Sequence, residues 1–407
     1  MFFDFRIPES RPDPEAQLSQ WPPLHVHKRQ CNCQIDKKKK RRRRSCCLIL
    51  LIIILLFLIG DTIFLNIRVL NMTMTINNSP LMTNTTTPNF LSANAQQCLS
   101  QYTLDAPSSP SSYPCSTCLS TLQTVPSTYL SSNTQNAQQI LNAIQFCGLR
   151  GIFDTANSQG QASLGNGSWV NNVKFCAWNG VTCDSSGRVS NLQLTFPGVP
   201  ATLPNELGAL TGLQTLQVIG GNSIPAGSLP SSFTNLTSLS NLHIEATAIT
   251  ALPDNLFSSL KAVTTFTLVR NPMMGTSLPS TLTKLPLQNL VVNSQNITNP
   301  LSSLSSSSTL QASLQLLDLS STSLTGIIPN TISSFSALTQ LLLSNNNLQP
   351  PLPNTFPPSL QILSLQNNTA LTGTVPSSLC SSTQLKNCSL QNTGLNATGG
   401  CGSCQFL

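Results

Sequence analysis

Apolar residues recur along residues 189–395 with a period close to 24 residues. Each period opens with leucine-type residues at positions 1, 4 and 6, the pattern L-x-x-L-x-L. In the sixth unit these are Leu314, Leu317 and Leu319, at a short predicted strand. The residues between them, such as Leu316 and Asp318, point away from the face that these leucines form. The nine units begin at Val189, Leu213, Leu239, Val263, Leu287, Leu314, Leu338, Leu360 and Leu385. Such a period predicts stacked units that bury their apolar faces on one another, not a globular domain with a catalytic cleft.

Two further columns accompany the leucines. Position 9 carries Asn271, Asn346 and Asn368, whose side-chain amides suit backbone groups left open where the chain turns. Threonine replaces asparagine in three units, and Pro197 and Gly221 lack the polar group. Downstream, seven of the eight full units carry an aliphatic residue followed by proline, which predicts an outer-edge turn. These are Leu203-Pro204, Leu229-Pro230, Leu252-Pro253, Leu278-Pro279, Ile328-Pro329, Leu352-Pro353 and Val375-Pro376.

The combined pattern resembles the plant-type leucine-rich repeat, L-x-x-L-x-L-x-x-N-x-L-x-G-x-I/V-P. LTGIIP (324–329) and LTGTVP (371–376) match the second half of that consensus. Just upstream, residues 175–194 resemble the N-terminal cap of the same family, C-x-W-x-G-V-x-C, with Cys176, Trp178 and Cys183 in the motif. A preceding cap helix is predicted over residues 137–147 from the helical spacing of its apolar residues. The resemblance covers roughly residues 137–404 and implies an α/β solenoid, a leucine-rich repeat horseshoe with parallel strands on its concave face.

A basic run and an apolar run near the N-terminus predict a membrane anchor. Residues 37–44 are KKKKRRRR, residues 46–60 carry no charge, and the span reaches Ile67 with Asp61 tolerated near its far end. As a helix, 22 residues extend about 33 Å, enough for a hydrocarbon core of about 30 Å. Residues 1–45 hold 12 Lys/Arg against 5 Asp/Glu, whereas the rest of the chain holds 8 of each. The positive-inside rule therefore predicts a cytosolic tail, one transmembrane helix and translocated repeats, a single-pass type II protein of the plasma membrane.

Several alternatives stay open in this part of the chain. The apolar run would be a signal peptide if it were cleaved, although no small-x-small site follows it closely. The basic run matches attraction to anionic lipids better than nuclear import. Cys46 and Cys47 are either palmitoylated or apolar filler. His25, His27, Cys31 and Cys33 fit no zinc spacing well, so we predict no metal site.

The predicted organisation has six segments. They are a basic tail (1–45), the anchor (46–67), a Ser/Thr/Asn/Pro-rich flexible stalk (68–114), a Cys-containing N-terminal cap region (115–188), the repeats (189–384), and the last repeat with a Cys-rich C-terminal cap (385–407). The predicted N-glycosylation acceptors all fall beyond the anchor. They are Asn71, Asn77, Asn84, Asn166, Asn235, Asn296, Asn367, Asn387 and Asn396.

Ten of the fourteen cysteines follow the anchor, which favours disulfides in an oxidising compartment. The resemblance implies a Cys176–Cys183 pair in the N-terminal cap. A second group is placed to close the last coil: Cys380, Cys388, Cys401 and Cys404. The connectivity of Cys98, Cys115, Cys118 and Cys147 is left open. Cys115 and Cys118 have redox-motif spacing, but no strand–helix context for thioredoxin chemistry.

The exposed strand positions predict the binding surface. It is polar, rich in amides and hydroxyls, and nearly neutral, which argues against nucleic acid. The ligand-binding residues proposed from sequence are Gln217, His243, Glu245, Arg270, Asn293, Asp318 and Asn345. Proton transfer between His243 and Glu245 is conceivable, but a lightly charged binding surface explains both residues, and we predict neither an enzyme nor a cofactor. A glycan on Asn367 would restrict ligands to units two through six.

Three functions compete. The first is a membrane-anchored receptor-like or adhesion protein that binds a protein, peptide or glycan on its concave face. Its 45-residue tail is too short for a kinase, so signalling would require a co-receptor. The second is a secreted or wall-associated inhibitor of polysaccharide-degrading enzymes, and the third is a structural matrix or adhesion module.

Overall fold

The computed structural model describes residues 91–132 and 134–406, which belong to one compact region of the chain, Pro88–Leu407. The predictions for the basic tail, the anchor at 46–67, Cys46 and Cys47, the His25–Cys33 segment, and Asn71, Asn77 and Asn84 lie outside these residues. Within residues 91–132 and 134–406, no helix is long and apolar enough to cross a membrane.

Helices precede the first repeat. They are α1 (Ala93–Leu104), α2 (Cys115–Gln123), α3 (Ser127–Leu130), α4 (Gln135–Thr155) and α5 (Ser158–Asn166). α4 contains the predicted cap helix and extends it at both ends, and most of its apolar side chains are buried. The prediction of a flexible stalk over residues 68–114 is wrong for part of that range, because α1 is folded there. Ala95, Cys98, Leu99 and Tyr102 of that helix are buried, and Cys98 is disulfide-bonded to Cys118.

Short strands then alternate with turns and helical segments. The strands are β1 (Val181–Cys183), β2 (Val189–Thr195), β3 (Thr215–Ile219), β4 (Ala226–Ser228), β5 (Asn241–Glu245), β6 (Ala248–Ala251), β7 (Thr265–Val269), β8 (Asn289–Asn293), β9 (Leu316–Asp318), β10 (Thr325–Gly326), β11 (Gln340–Leu342), β12 (Asn347–Leu348), β13 (Ile362–Ser364), β14 (Thr372–Thr374), β15 (Asn387–Ser389), β16 (Gly394–Asn396) and β17 (Cys404–Gln405).

The main sheet contains one strand from every repeat. Its order is β1-β2-β3-β5-β7-β8-β9-β11-β13-β15-β17, eleven strands among the described residues. β1 of the cap pairs antiparallel with β2, and all the other neighbours are parallel. Three two-stranded parallel sheets follow the main strands: β4–β6, β10–β12 and β14–β16. The described domain is therefore a leucine-rich repeat solenoid, as its period predicts.

The repeat leucines form one continuous core. In β3, β5, β7 and β8 the burial alternates, so that two side chains point inward and three lie on the open face. Proline precedes the helical turns on the other side of several coils. Pro204, Pro230, Pro279 and Pro329 each directly precede a 3₁₀ helix, consistent with a fixed φ and no donated hydrogen bond. These 3₁₀ helices are Asn205–Ala209, Ser231–Asn235, Ser280–Lys284 and Asn330–Ser334.

Units three, five and eight use α-helical turns instead. Unit five, which lacks the aliphatic–proline pair, places Pro300 before α7 (Leu301–Ser305) and continues into α8 (Ser308–Ser313). α6 (Leu256–Ser259) belongs to unit three, and α9 (Ser377–Cys380) follows Pro376 in unit eight. Two further 3₁₀ helices, Pro110–Ser112 and Phe175–Ala177, lie in the N-terminal region.

The position-9 side chains form a buried polar column. Asn271 accepts hydrogen bonds from the Thr247 backbone N–H (3.1 Å) and hydroxyl (2.7 Å), and donates to the carbonyl of Ile244 (3.0 Å). Gln295, whose role the repeat consensus does not indicate, continues the column by accepting from the Asn271 side chain (3.1 Å). Asn346 and Asn368 bond backbone groups in the same way. These contacts satisfy polar groups that would otherwise destabilise the core.

Among the described residues, five disulfides stabilise the two ends of the solenoid. At the N-terminal end the pairs are Cys98–Cys118, Cys115–Cys147 and Cys176–Cys183. At the C-terminal end the pairs are Cys380–Cys401 and Cys388–Cys404. The second of these joins residues directly opposite each other on β15 and β17.

Candidate ligand-binding face

The open face of the main sheet carries rows of side chains in register. Position 5 forms the central row, because the strand pairing aligns each unit with the next. From unit one to unit nine it reads Gln193, Gln217, His243, Thr267, Val291, Asp318, Leu342, Ser364 and Ser389. The row begins with amides, carries charge in its middle third and ends with hydroxyls.

A charged cluster occupies units three and four. His243 Nε2 lies 2.9 Å from Glu245 Oε2, and the other oxygen of Glu245 accepts a hydrogen bond from the Arg270 guanidinium. The side chains of His243 and Glu245 are 25% and 20% exposed, whereas Arg270 is 59% exposed. Glu245 therefore connects the histidine to a solvent-facing arginine. This arrangement holds a fixed charge pattern on the face and provides no nucleophile.

Asp318 lies among aliphatic side chains. The strand register places it between Val291 and Leu342, and Leu316 lies on the same face of its own strand. Its Oδ2 accepts a hydrogen bond from Asn293 Nδ2 at 3.0 Å, and its Oδ1 accepts from the Ser320 backbone N–H at 2.9 Å. No lysine, arginine or histidine of the described residues forms an ion pair with it. The result is a half-buried carboxylate beside an aliphatic surface.

A column of residues in the left-handed backbone region follows the strands at position 8. Arg270, Asn345, Asn367 and Asn392 have φ between 54° and 56°. Asn367 donates to Asn345 Oδ1 at 2.6 Å, and Asn392 donates to Asn367 Oδ1 at 2.7 Å. Asparagine tolerates this conformation, which explains the asparagines at this edge of units seven to nine.

The proposed residues thus fall into four groups. His243, Glu245 and Arg270 are brought together, Asn293 contacts Asp318, and Asn345 bonds Asn367. Gln217 lies apart, in a recess beside the cap. The prediction missed position 3, which the structure also places on the open face. Extending the period-two alternation by one residue would have found Asn191, Thr215, Asn241, Thr265, Asn289 and Leu316.

The glycosylation acceptors among the described residues are all exposed at the surface. Asn387 lies in β15 at position 3, and Asn367 lies at the opposite edge of the neighbouring unit. Two acceptors therefore flank the open face near its C-terminal end, one more than the sequence analysis identified there.

Comparison with known proteins gives relatives for the repeats. No protein-family model matches the chain. Receptor-like protein 39 of Arabidopsis thaliana is 31% identical over 228 residues, which are 51% of this chain and 25% of that protein. Receptor-like kinase TMK2 of Arabidopsis thaliana is 29% identical over 208 residues, 49% of this chain and 20% of that protein.

The repeat domain is similar to plant leucine-rich repeat receptor-like proteins. The chain spans about a quarter or less of the length of these relatives. One similar solved structure is the LRR ectodomain of the plant membrane receptor kinase GASSHO1/SCHENGEN3 from Arabidopsis thaliana, in complex with CASPARIAN STRIP INTEGRITY FACTOR 2. The similarity covers 62% of this chain and 33% of that chain, with 25% identity and a TM-score of 0.47.

Proposed function

We propose that this protein is a receptor-like or adhesion protein whose repeats bind a protein or peptide ligand on the open face of units five to seven. The observation that carries the proposal is the Asp318 carboxylate beside Val291, Leu316 and Leu342. Such a surface complements a ligand segment that places a lysine or arginine next to an aliphatic side chain. The sequence likeness to receptor-like proteins supports the same class of function.

The surrounding groups restrict where that segment lies. The Glu245–Arg270 ion pair adjoins the patch on the N-terminal side, two units from Asp318. Glycans on Asn367 and Asn387 would crowd the face on the C-terminal side. An extended peptide across units five to seven avoids both the ion pair and the glycans. It would cross strands whose backbone groups are already paired, so its contacts are made through side chains.

Selection from a peptide display library tests this proposal. The full chain is immobilised, and the enriched peptides are measured on the wild type, on Asp318→Ala and on the matched control Asp254→Ala. Asp254 is an exposed acid on the opposite side of the solenoid. We expect basic–aliphatic peptides, with a dissociation constant raised tenfold or more by Asp318→Ala and unchanged by Asp254→Ala. Peptides that bind Asp318→Ala as tightly as the wild type would contradict the proposal.

We further propose that the repeats lie outside the cell, held by the anchor at 46–67. The five disulfides support an oxidising compartment. N-terminal sequencing of the mature protein tests the anchor: a start beyond Asp61 would replace it with a cleaved signal peptide.

A further inference from the structure

A recess of about 550 Å³ lies where the cap meets the first concave strands. α5 and the residues after it form one wall, and β1, β2 and β3 form the floor. Gly180, at the edge, has φ +81°, and a Cβ there would lie 2.3 Å from the carbonyl oxygen of Gln193. Only glycine allows the cap loop to approach β2 this closely. The shape of the recess therefore follows from the close packing of the cap on the first repeat. Its volume falls within the usual range of small-molecule sites.

Amide and hydroxyl side chains line this recess. They come from the cap and from units one and two, and six of them are Asn179, Thr182, Asn191, Gln193, Thr215 and Gln217. Among the hydrogen bonds of residues 91–132 and 134–406, none uses a side-chain atom of these six. Further along the face, neighbouring strands are joined by such bonds, for example Asn289 to Thr265 (3.1 Å) and Asn293 to Asp318 (3.0 Å). The recess thus holds six polar side chains available to a ligand.

The chemistry of this lining defines the ligand class. Each amide and hydroxyl group both donates and accepts, and none of the lining residues carries a formal charge. A ligand with several adjacent hydroxyl groups matches this set, whereas an anion or a cation would be desolvated without a counter-charge. Leu164 and Trp169 pack behind these polar groups and are 6% and 1% exposed. A peptide strand fits less well, because β2 is already paired on both sides and offers no edge.

We propose that this recess binds a neutral saccharide of one or two sugar residues. The site is separate from the Asp318 patch, so this proposal does not depend on the proposed peptide-binding function. Its hydrogen bonds are made by Gln193 and Gln217 on the floor and by Asn179 and Thr182 on the cap side.

Saturation-transfer NMR on the full chain, in detergent, tests the proposal. An Asn166→Gln background removes the glycosylation acceptor next to the recess residue Gly167. The probes are the neutral disaccharides cellobiose, maltose, lactose, sucrose, mannobiose and xylobiose, with digalacturonate and the peptide Ser-Asn-Thr-Gly as competing classes. We expect saturation transfer to at least one neutral disaccharide and none to digalacturonate or the peptide.

Two variants locate the binding. Gln193→Ala/Gln217→Ala removes two floor amides and should raise the dissociation constant about tenfold or more. The matched control Gln340→Ala/Gln366→Ala removes two amides from the same face outside the recess and should change nothing. Asp318→Ala should also leave sugar binding intact, which separates this site from the peptide site. The proposal is overturned if no neutral disaccharide receives saturation, if only the peptide or digalacturonate does, or if the floor variant with an unchanged melting curve binds as the wild type does.

Discussion

Units one and two are held together differently from units three to nine. The later units share the buried polar column of Thr247, Asn271, Gln295 and their successors, and side chains on their open face bond across strands. The first two units carry Pro197 and Gly221 at position 9 and have no cross-strand side-chain bond on the open face, within the described residues. The cap replaces the missing interactions.

Two features of α4 show how the cap does so. Gln145 is buried and accepts a hydrogen bond from the Val189 backbone N–H at 2.6 Å, which satisfies the start of β2. Gly151 lets the helix lie against the outer turn of unit one, since a Cβ there would be 2.7 Å from Cβ of Glu206. Because the cap stabilises the early units from outside, their open-face amides are left for a ligand. In the later units some open-face side chains of the same types form hydrogen bonds with the neighbouring strand.

The largest expected effect comes from breaking the polar column. Asn271→Ala leaves the Thr247 N–H and the Ile244 carbonyl without partners in the core, and should lower the free energy of unfolding by about 4 kcal/mol. Asn241→Ala is the matched control, since that side chain lies half-buried on the open face. Urea unfolding followed by circular dichroism measures both. Equal losses in the two variants would mean that the column does not stabilise the later units.

Removing the contact between Gln145 of the cap and β2 should lower the free energy of unfolding by less than Asn271→Ala does. Its effect should fall on the first units instead of the later ones. Gln145→Ala removes one strong contact to Val189 and a weaker one to the Gly187 carbonyl, and should cost about 2 kcal/mol. Hydrogen exchange should show the loss in residues 181–219 and not beyond unit five, because repeats contact only their neighbours. A uniform loss along the solenoid would remove the distinction between the two regions.

Removing the exposed ion pair should change stability little. Arg270→Asn keeps a residue that tolerates the left-handed conformation but deletes the contact to Glu245. The expected loss is below about 1 kcal/mol, and it should shrink further at high salt. A loss of several kcal/mol in thermal melts would show that the cluster holds the sheet together.

The smallest effect concerns pH. Asp184, in the turn before β2, accepts hydrogen bonds from the Ser186 hydroxyl and from Ser186 and Arg188 backbone N–H groups, which lower its pKa to about 2. A depressed folded-state pKa gives stability above the unfolded pKa of about 4 and loses it as pH falls toward 2. Asp184→Asn should therefore melt slightly lower than the wild type at pH 6, and the difference should narrow as the pH falls from about 4 and vanish as it falls through 2. A difference independent of pH would show that the charge of Asp184 is not what stabilises the turn.

Sequence reasoning predicts most of the architecture because the repeat is periodic. The leucine positions, the proline column and the cap cysteines each have a local signature. α1 was missed because the Ser/Thr/Asn-rich composition around it indicates a linker, and the Cys98–Cys118 bond that fixes it depends on tertiary proximity. At the site, sequence identifies Asp318 and Gln217 as exposed. Which neighbours they contact depends on strand register and side-chain conformation. The aliphatic surroundings of Asp318 therefore emerge only in three dimensions, and so does the lack of a hydrogen bond to the Gln217 side chain among residues 91–132 and 134–406.

Hydrogen exchange of the peptide complex tests the binding face most directly. With a selected basic–aliphatic peptide bound to the full chain, amide exchange in residues 289–293, 316–318 and 340–342 should slow, while residues 181–219 and the helical turns on the opposite side should not change. Protection confined to the opposite side, or to the cap recess, would contradict the assignment of the open face of units five to seven as the protein-ligand site.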